Sequence, residues 1–395
     1  MTQKAYDVLI AGGGVIGSSV AYFLSAAEAG RNLKICVVEP DPTYAASSTA
    51  LSVGGIRQQF STPENILLSL FSAEFFRQAG ELLSVEGECP DLQFREAGYL
   101  FLATAAGVHL LQRNRTRQAE LGAYVEIFSP ETLLARFPWM HVSDLAAGSL
   151  GVRDEGWLDP FSLLQAFRKK ARSQGVTYLE DEVTGISSAM DRVDSVILAG
   201  AGRIPVGLVV NAAGPRAAEL ALLAGIPDLP VRPRKRFVYG VQACQDLPEC
   251  PLVIDPSGVY FRPEGNGFLC GVSPPEDRDP DTLDLEMEYE LFYEEVWPTL
   301  ARRVPSFDSL RLGSSWAGHY AHNTFDQNAI LGPHPELGNF FFANGFSGHG
   351  LQHSPGIGRA LSEIILQGAY QTLNLTRFGF HRIAENILIR EENVV

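Results

Sequence analysis

Cysteine is scarce in this 395-residue chain, with only five, at positions 36, 89, 244, 250 and 270. They are odd in number and show no C-x-x-C spacing, so no disulfide framework, thiol redox pair or cysteine zinc site is expected, and a reducing compartment suits them. Basic residues are also short, 31 Lys and Arg against 46 Asp and Glu, a formal net charge of -15. A polyanion has little to bind on such a surface, and no nucleic-acid partner is expected. The one basic run, Arg232-Pro233-Arg234-Lys235-Arg236, is read as a solvated edge and given no role. Long hydrophobic runs are missing, each being broken within about ten residues, so no integral membrane segment is expected. The start, Met1 to Tyr6, leads straight into an apolar strand without a signal or transit peptide, which gives the expectation of a bacterial-type cytoplasmic protein. His349 and His353 share helical spacing, but Gly350-Leu351-Gln352 between them lacks the glutamate of a zinc-binding helix, and no metal is expected. Ser347 lacks the flanking pattern of a nucleophile elbow.

What is present is 46% hydrophobic residues over a length greater than most single domains, enough for two interleaved ones. The apolar run Asp7 to Ala11 reads as a parallel strand buried on both faces, and it enters the turn Gly12-Gly13-Gly14-Val15-Ile16-Gly17. Here Gly12 permits the tight turn, Gly14 lets the backbone approach a pyrophosphate, and Gly17 lets the following helix pack closely. Val15 and Ile16 open that helix, whose N-terminus faces the phosphates. The helix is expected to run to about Ala29, with Val20, Phe23 and Leu24 on its apolar stripe and Gly30 as its stop. A second strand, Leu33 to Val38, ends at Glu39, an acid placed to bind ribose hydroxyls. Strand, helix and acid in register make a dinucleotide site, with NAD and FAD both open at this point.

Further on, Ala45-Ala46-Ser47-Ser48-Thr49-Ala50-Leu51-Ser52-Val53-Gly54-Gly55-Ile56-Arg57 resembles the D-amino-acid oxidase and sarcosine oxidase superfamily of FAD enzymes. Gly345-Phe346-Ser347-Gly348-His349-Gly350-Leu351-Gln352 resembles its second flavin-contacting loop, leading into a helix, and Leu208 to Pro215 its central flavin-packing segment. The resemblance therefore implies FAD. It places Ser47 and Ser48 along the pyrophosphate and flavin, Gly54 and Gly55 beside the ring, Val183 at adenine, and Ala213 and Gly214 at the flavin-packing turn. Gly345, Gly348, His349, Gly350 and Leu351 complete the cofactor set. Within the superfamily the chain is similar to the branch of FAD-dependent oxidoreductase domain-containing proteins linked to mitochondrial complex I assembly, through Leu51 to Ile56, Asp154 to Pro160, Trp316 to Tyr320 and Asn323 to Asn328. That branch implies a respiratory-chain protein partner, and a trimmed matrix protein peripheral to the inner membrane as the alternative location.

The implied fold is α/β, α+β overall. A Rossmann-type FAD-binding domain of the glutathione-reductase-like kind is assembled from residues 1–92, 150–228 and 326–395. A substrate domain with a mainly antiparallel sheet takes 93–149 and 229–325. Sequence patterns add strands at Gly98 to Ala103 and Phe237 to Val241, a hairpin from Gly258 to Gly271, and an amphipathic helix between Glu286 and Leu300 carrying Met287, Leu291, Phe292 and Val296.

Enzymes of this shape oxidise a carbon beside an amine, or less often beside a hydroxyl. Arg57 is the first candidate to clamp a substrate carboxylate, since guanidinium offers a bidentate fork; pairing with an acid is the alternative. Tyr260 and Arg262 alternate on one strand face toward the substrate side, against ordinary packing for Arg262. Tyr320 and Trp316 are candidates to wall the cavity or to fill core. The position where covalent relatives carry their flavin-linking cysteine is Gly318, implying noncovalent FAD, and His319 beside it is read as a hydrogen-bonded structural histidine. Relatives place a lysine where this chain has Gln352, and another near Leu269. The first difference weighs against sarcosine itself as substrate, and the second, removing a cation that would assist oxygen reduction, favours a dehydrogenase with an unknown electron acceptor over an oxidase. The expected substrate is a small carboxylate-bearing secondary amine or N-methyl amino acid; a 2-hydroxy-acid dehydrogenase and an assembly factor with a mainly structural flavin are the alternatives.

Overall fold

The computed structural model describes residues 5–393, so the reading of Met1 to Lys4 lies outside them. β1 (Tyr6–Ala11) is flanked on both sides by parallel strands, which is why its Val8, Leu9 and Ile10 are all apolar and buried. α1 (Val15–Ala26) follows the glycine turn and stops three residues earlier than the pattern suggests. Ala27 turns extended and the chain tightens into a 3₁₀ turn, Glu28–Gly30. Gly30 is there for contact, because a Cβ would sit 1.8 Å from the Leu24 carbonyl oxygen.

The chain continues through β2 (Ile35–Glu39), β3 (Gly55–Ile56) and α2 (Pro63–Leu82). Next come β4 (Tyr99–Ala103), α3 (Val108–Glu120), β5 (Val125–Phe128), α4 (Pro130–Arg136) and β6 (Ala147–Gly151). β7 (Gly156–Trp157) pairs with β3, and α5 (Pro160–Ser173) starts on an Asp159 cap that accepts from the Phe161 amide. β8 (Thr177–Glu180) joins β2, and β9 (Val183–Ala189), β10 (Arg192–Leu198) and β11 (Gly202–Asn211) form an antiparallel meander that ends beside β1. After α6 (Ala217–Leu223) come β12 (Val231–Gln242), β13 (Leu252–Ile254), β14 (Tyr260–Glu264), β15 (Gly267–Gly271), α7 (Trp297–Arg303) and β16 (Arg311–Asn323). β17 (Ile330–Pro333), β18 (Phe340–Asn344) and α8 (Gly350–Gln367) complete the scaffold.

Two large sheets result. One runs β17-β18-β11-β1-β2-β8, with β9 and β10 attached through β11; the other runs β16-β12-β15-β14-β13-β4-β6-β5 and is antiparallel except where β4 meets β13. The first is built from stretches far apart in sequence, and the second from the intervening pieces. α1 crosses α8 closely because Gly358 leaves room: Ser19 Oγ donates to the Ser354 carbonyl at 2.7 Å, and a Cβ on Gly358 would meet Ser19 Oγ at 2.2 Å. Beneath α1, Tyr22, Phe75 and Phe167 interlock, the last two stacked with centroids 5.5 Å apart. Truncating fully buried Phe167 to alanine would cost about 3–5 kcal/mol.

β14 and β15 form the expected hairpin, Tyr260 opposite Gly271 and Glu264 opposite Gly267. The helix expected from Glu286 becomes helical only at Glu290, passing through a π-turn, Phe292–Val296, into α7. Residues 286–289 stay outside the helix, where side chains of β12 hold them: Lys235 Nζ is 3.2 Å from Glu288 Oε1, and Tyr239 Oη donates to the Glu288 carbonyl at 2.8 Å. The basic run is likewise not a solvated edge. It lies along β12 paired with β16, and one acidic segment folds over it: Arg236 takes Asp279, Arg234 takes Asp281, and Lys235 takes Asp284. Opposite charge on a segment distant in sequence decides its place.

Candidate functional site

A cavity of about 770 Å³ is lined by residues of both sheets. At one end stand the carboxyl ends of β1 and β2, the first turn of α1, Val183 on β9, and the Ala212 to Arg216 turn after β11. This is where parallel sheets place ligands. Gly12 has φ +104° and its Cβ would lie 2.3 Å from the Ala212 carbonyl oxygen; a Cβ on Gly17 would lie 1.9 Å from the Gly12 oxygen. Gly14 is different, since a Cβ there would meet only Thr49 Oγ1, at 3.4 Å, which leaves its open side to a ligand. Glu39 accepts from the Gly13 amide at 2.8 Å and from the Asp41 amide at 3.0 Å, fixing the turn to the end of β2. Burial raises its pKa despite those bonds, so a donor to its remaining lone pairs is favoured.

Thr49, which the sequence reading passed over, accepts from the Val15 amide at 3.1 Å and so caps α1 from a distance. The hydroxyls of Ser47-Ser48-Thr49 were the available signal. Ser47 Oγ accepts from the Ala50 amide, while Ser48 Oγ is buried without a partner and lies in the cavity wall.

At the other end Gly55, Arg57, Tyr260, Tyr320, Gln352 and the Gly348 to Leu351 segment meet. Three of the expected cofactor glycines do not line the cavity. Gly17 packs helix on turn as read. Gly54, at φ +79°, is required because its Cβ would lie 2.1 Å from the Leu158 carbonyl oxygen, and Gly345 packs on Asn323 and Val231. These last two shape the wall from behind. Gly348, at φ +97°, does line it, and a Cβ would come within 2.5 Å of the Tyr320 ring.

Arg57 is 2% exposed. Its Nη1 donates to the Gln59 carbonyl at 2.7 Å and its Nη2 to the Asn393 carbonyl at 2.7 Å, with His349 Nε2 at 3.2 Å. The guanidinium carbon lies 4.1 Å over Phe60 and 5.2 Å from the Phe101 centroid. Burial and the Arg57 charge push the His349 pKa down to about 3, so its imidazole is neutral and accepts this bond. The alternative of pairing with an acid does not occur: among the described residues no carboxylate lies within 4.0 Å of Arg57. Glu155, beneath this segment, accepts from the Gln58 amide at 2.7 Å and Gln59 Nε2 at 2.8 Å. Burial pushes its pKa up to about 8, so near neutral pH it offsets little of the Arg57 charge; Glu391, whose pKa the Arg57 charge helps to lower, offsets part of it without a direct ion pair.

Gln352 Oε1 accepts from the Arg57 amide at 2.9 Å, tying the start of α8 to this wall. Tyr260, Tyr320 and Tyr99, the last not foreseen, present phenols whose pKa burial raises, so they stay protonated donors. Arg236 also lines the cavity, bidentate to Asp279 at 2.8 and 2.9 Å and 5.0 Å from the Tyr320 centroid. Trp316 and Arg262 do not line it. They pin the Leu51 to Val53 backbone instead, Trp316 Nε1 donating to Leu51 O at 2.9 Å and Arg262 Nε to Val53 O at 2.8 Å. His319 lines the cavity, and its Nε2 lies 3.0 Å from the Asp284 carbonyl. Leu269 is buried in its sheet away from the cavity, so its identity says nothing direct about the electron acceptor.

The family model for FAD-dependent oxidoreductases, DAO, matches residues 7–364. The chain belongs to the DAO family. As a DAO-family protein it is an FAD-dependent oxidoreductase. It is 47% identical to FAD-dependent oxidoreductase domain-containing protein 1 of Xenopus laevis, over 98% of this chain and 85% of that one. Among solved structures it is similar to L-proline dehydrogenase from P. horikoshii, with TM-score 0.87 and 27% identity over 98% of this chain and 100% of that one. Glycine oxidase from Geobacillus kaustophilus gives TM-score 0.82 and 26% identity over 96% and 98%.

The DAO-family chain's own residues fit the cofactor. Ser48 Oγ is an orphaned polar atom awaiting a ligand group, a Cβ on Gly214 would project into open space, and α1 points its first-turn amides at the same wall. Glu39 would take the ribose, Gly14, Val15, Ile16, Ser47 and Ser48 the pyrophosphate region, and the Gly348 to Leu351 amides the ring.

Proposed function

We propose that the protein oxidises the carbon beside the nitrogen of a small amine that carries a carboxylate, of the secondary-amine or N-methyl amino-acid type. The observation that carries this reading is Arg57: a buried cation in the cavity wall, held by neutral acceptors and aromatic faces, with no acid paired to it. A buried charge without a direct ion pair is costly, and an anionic ligand group would offset it. Three of its five N–H donors take protein acceptors when neutral His349 accepts; the Nε–H and one Nη1–H that remain lie on different edges of the guanidinium, so such a group would meet a single donor and the charge rather than the bidentate fork expected from the sequence.

FAD, when bound, supplies a hydride acceptor at N5. The protein's part is to place the substrate and settle its protonation. The Arg57 charge makes this end of the cavity positive, Arg236 being paired with Asp279, which lowers the pKa of a bound ammonium and favours the free amine. Around it stand the phenols of Tyr99, Tyr260 and Tyr320, whose hydroxyls have no hydrogen-bond partner among the described residues and can meet the substrate's polar atoms. The Gln352 amide, where the resemblance places a lysine, leaves Arg57 as the anchor and weighs against sarcosine itself as the substrate. The resemblance to enzymes named for proline and glycine supports an amino-acid substrate over a hydroxy acid. A bond from protein to flavin is opposed at Gly318, where a Cβ would lie 3.0 Å from Leu51 Cβ.

The test is anaerobic bleaching of the bound flavin by a panel of N-methyl amino acids, D- and L-amino acids and 2-hydroxy acids. Bleaching by amines carrying a carboxylate, with their esters inert, is the expected result. Bleaching by hydroxy acids alone refutes the reading, and so does a flavin that no amine bleaches while FAD stays bound.

A further inference from the structure

The segment 389–393 lies 330 residues and more from Arg57 in sequence, yet it closes on the cavity wall from behind. Ile389 is buried, its amide donating to Asp326 Oδ2 at 3.2 Å and its carbonyl accepting from Asn328 Nδ2 at 2.8 Å. Two residues on, Glu391 accepts from the Ser61 amide and hydroxyl at 2.7 and 2.8 Å, the Thr62 amide at 3.0 Å and Asn65 Nδ2 at 3.2 Å. Its carboxylate thus holds the start of α2. The Glu392 amide donates to Ser61 Oγ at 2.8 Å. Asn393 then closes a ring around the guanidinium: its carbonyl accepts from Arg57 Nη2 at 2.7 Å, and its Nδ2 donates to the Gln59 carbonyl at 2.6 Å, the same oxygen that accepts from Arg57 Nη1.

Such a ring does more than staple the chain. Arg57 carries many rotamers, and fixing one in a dry wall needs acceptors on the side away from the ligand. Gln59 O and Asn393 O are those acceptors. We propose that Glu391 and Asn393 are positioning residues, holding the Arg57 guanidinium in the cavity wall so that its charge acts on the bound cofactor and on a substrate carboxylate. The charge itself would favour the reduced, more negative cofactor. The proposal rests on the reading of Arg57 given above for the carboxylate, and on FAD alone for the cofactor.

Three changes in the otherwise full chain test it: a stop after Arg390, Asn393→Ala, which removes only the bond to Gln59, and Glu391→Gln, which weakens the anchor. Two quantities are measured on FAD-loaded protein, the midpoint potential of the flavin and the affinities for propionate and neutral propionamide, followed in the flavin absorbance band. The stop should weaken propionate binding at least tenfold with propionamide changed less than twofold. It should also lower the potential by an amount equal to about tenfold in the reduction equilibrium, about 30 mV for two electrons. Asn393→Ala should move both in the same direction by less, and Glu391→Gln by less still, because loss of a carboxylate whose charge acts on Arg57 partly offsets the loosened anchor. In an Arg57→Ala background the stop should change neither. An equal effect with and without Arg57, or no shift in potential with Arg57 present, overturns the proposal and leaves a structural staple. If the shortened chain does not hold FAD, Asn393→Ala and Glu391→Gln decide by the same criteria. Should propionate fail to bind the intact protein, the carboxylate-anchor reading falls, while the potential still judges the strap.

Discussion

Replacing Gly348 by alanine should move Tyr320 and can be followed as a coupling between the two positions. At φ +97° a residue with a Cβ is strained by about 1–2 kcal/mol. The new methyl would also lie 2.5 Å from Tyr320 Cε2 and 2.6 Å from Cζ, where carbon atoms in contact prefer about 3.5–4.0 Å. The ring cannot retreat freely, because the Arg236 guanidinium, clamped by Asp279, stands 5.0 Å from its centroid. Overpacking of this kind costs about 1–3 kcal/mol, giving a total of about 2–5 kcal/mol for Gly348→Ala. Tyr320→Ala removes the obstacle, so the contact part, about 1–3 kcal/mol, should vanish in the double variant while the backbone part remains. Urea unfolding of the FAD-loaded wild type, both single variants and the double variant measures this. A coupling energy within about 0.5 kcal/mol of zero would refute the claim that this glycine exists to seat Tyr320. Since Tyr320 walls the substrate end, Gly348→Ala should also raise KM more than it loosens FAD.

Arg57→Ala should raise KM for a carboxylate-bearing substrate by about 10²–10³-fold with FAD retained, the cost of removing one partner of a buried charged pair; equal losses for acid and ester would discount an anchoring role. Because the positive end of the cavity disfavours a bound ammonium, kcat should rise with pH to a plateau reached below the pKa of the free amine while kcat/KM follows the free amine, and a kcat profile that also follows the free amine would contradict this. Glu155 predicts a stability trend. Its carboxyl, near 4.5 when free, ionises only at about 8 in the folded protein, so between those values the unfolded chain holds fewer protons and folding weakens as pH rises. Below the window both states are protonated and above it both are ionised. Urea midpoints of wild type relative to Glu155→Gln should therefore decline from about pH 4.5 to 8 and level off above; a flat difference would show that Glu155 is ionised throughout.

How much of this site could be read in advance depended on sequence distance. The turn from Gly12 to Gly17, the strand before it and Glu39 after it are neighbours in the chain, so periodicity and spacing placed them. Thr49 as a remote cap for α1, Tyr99 in the wall and Arg236 beside Tyr320 come from separate elements, and no local pattern joins them. The run 232–236 was misjudged for the same reason: charge alone suggested solvent, whereas an acidic partner segment some forty residues on covers it. Gly54 and Gly345 were rightly singled out as glycines but for contacts that only tertiary packing reveals, against Leu158 O and Asn323.

The sequence by itself determined the dinucleotide end, because a buried parallel strand, a tight glycine turn and a helix N-terminus are local consequences of residue type and order, while FAD rather than NAD came from the family resemblance. It also nominated Arg57, Tyr260, Tyr320 and Gln352. Only the tertiary structure decided that no acid among the described residues pairs directly with Arg57, that a neutral His349 and the carbonyls of Gln59 and Asn393 hold it, and that burial raises the pKa of Glu155 below it. Charge compensation and burial depend on which segments meet across hundreds of residues, and that meeting is set by packing of the whole chain.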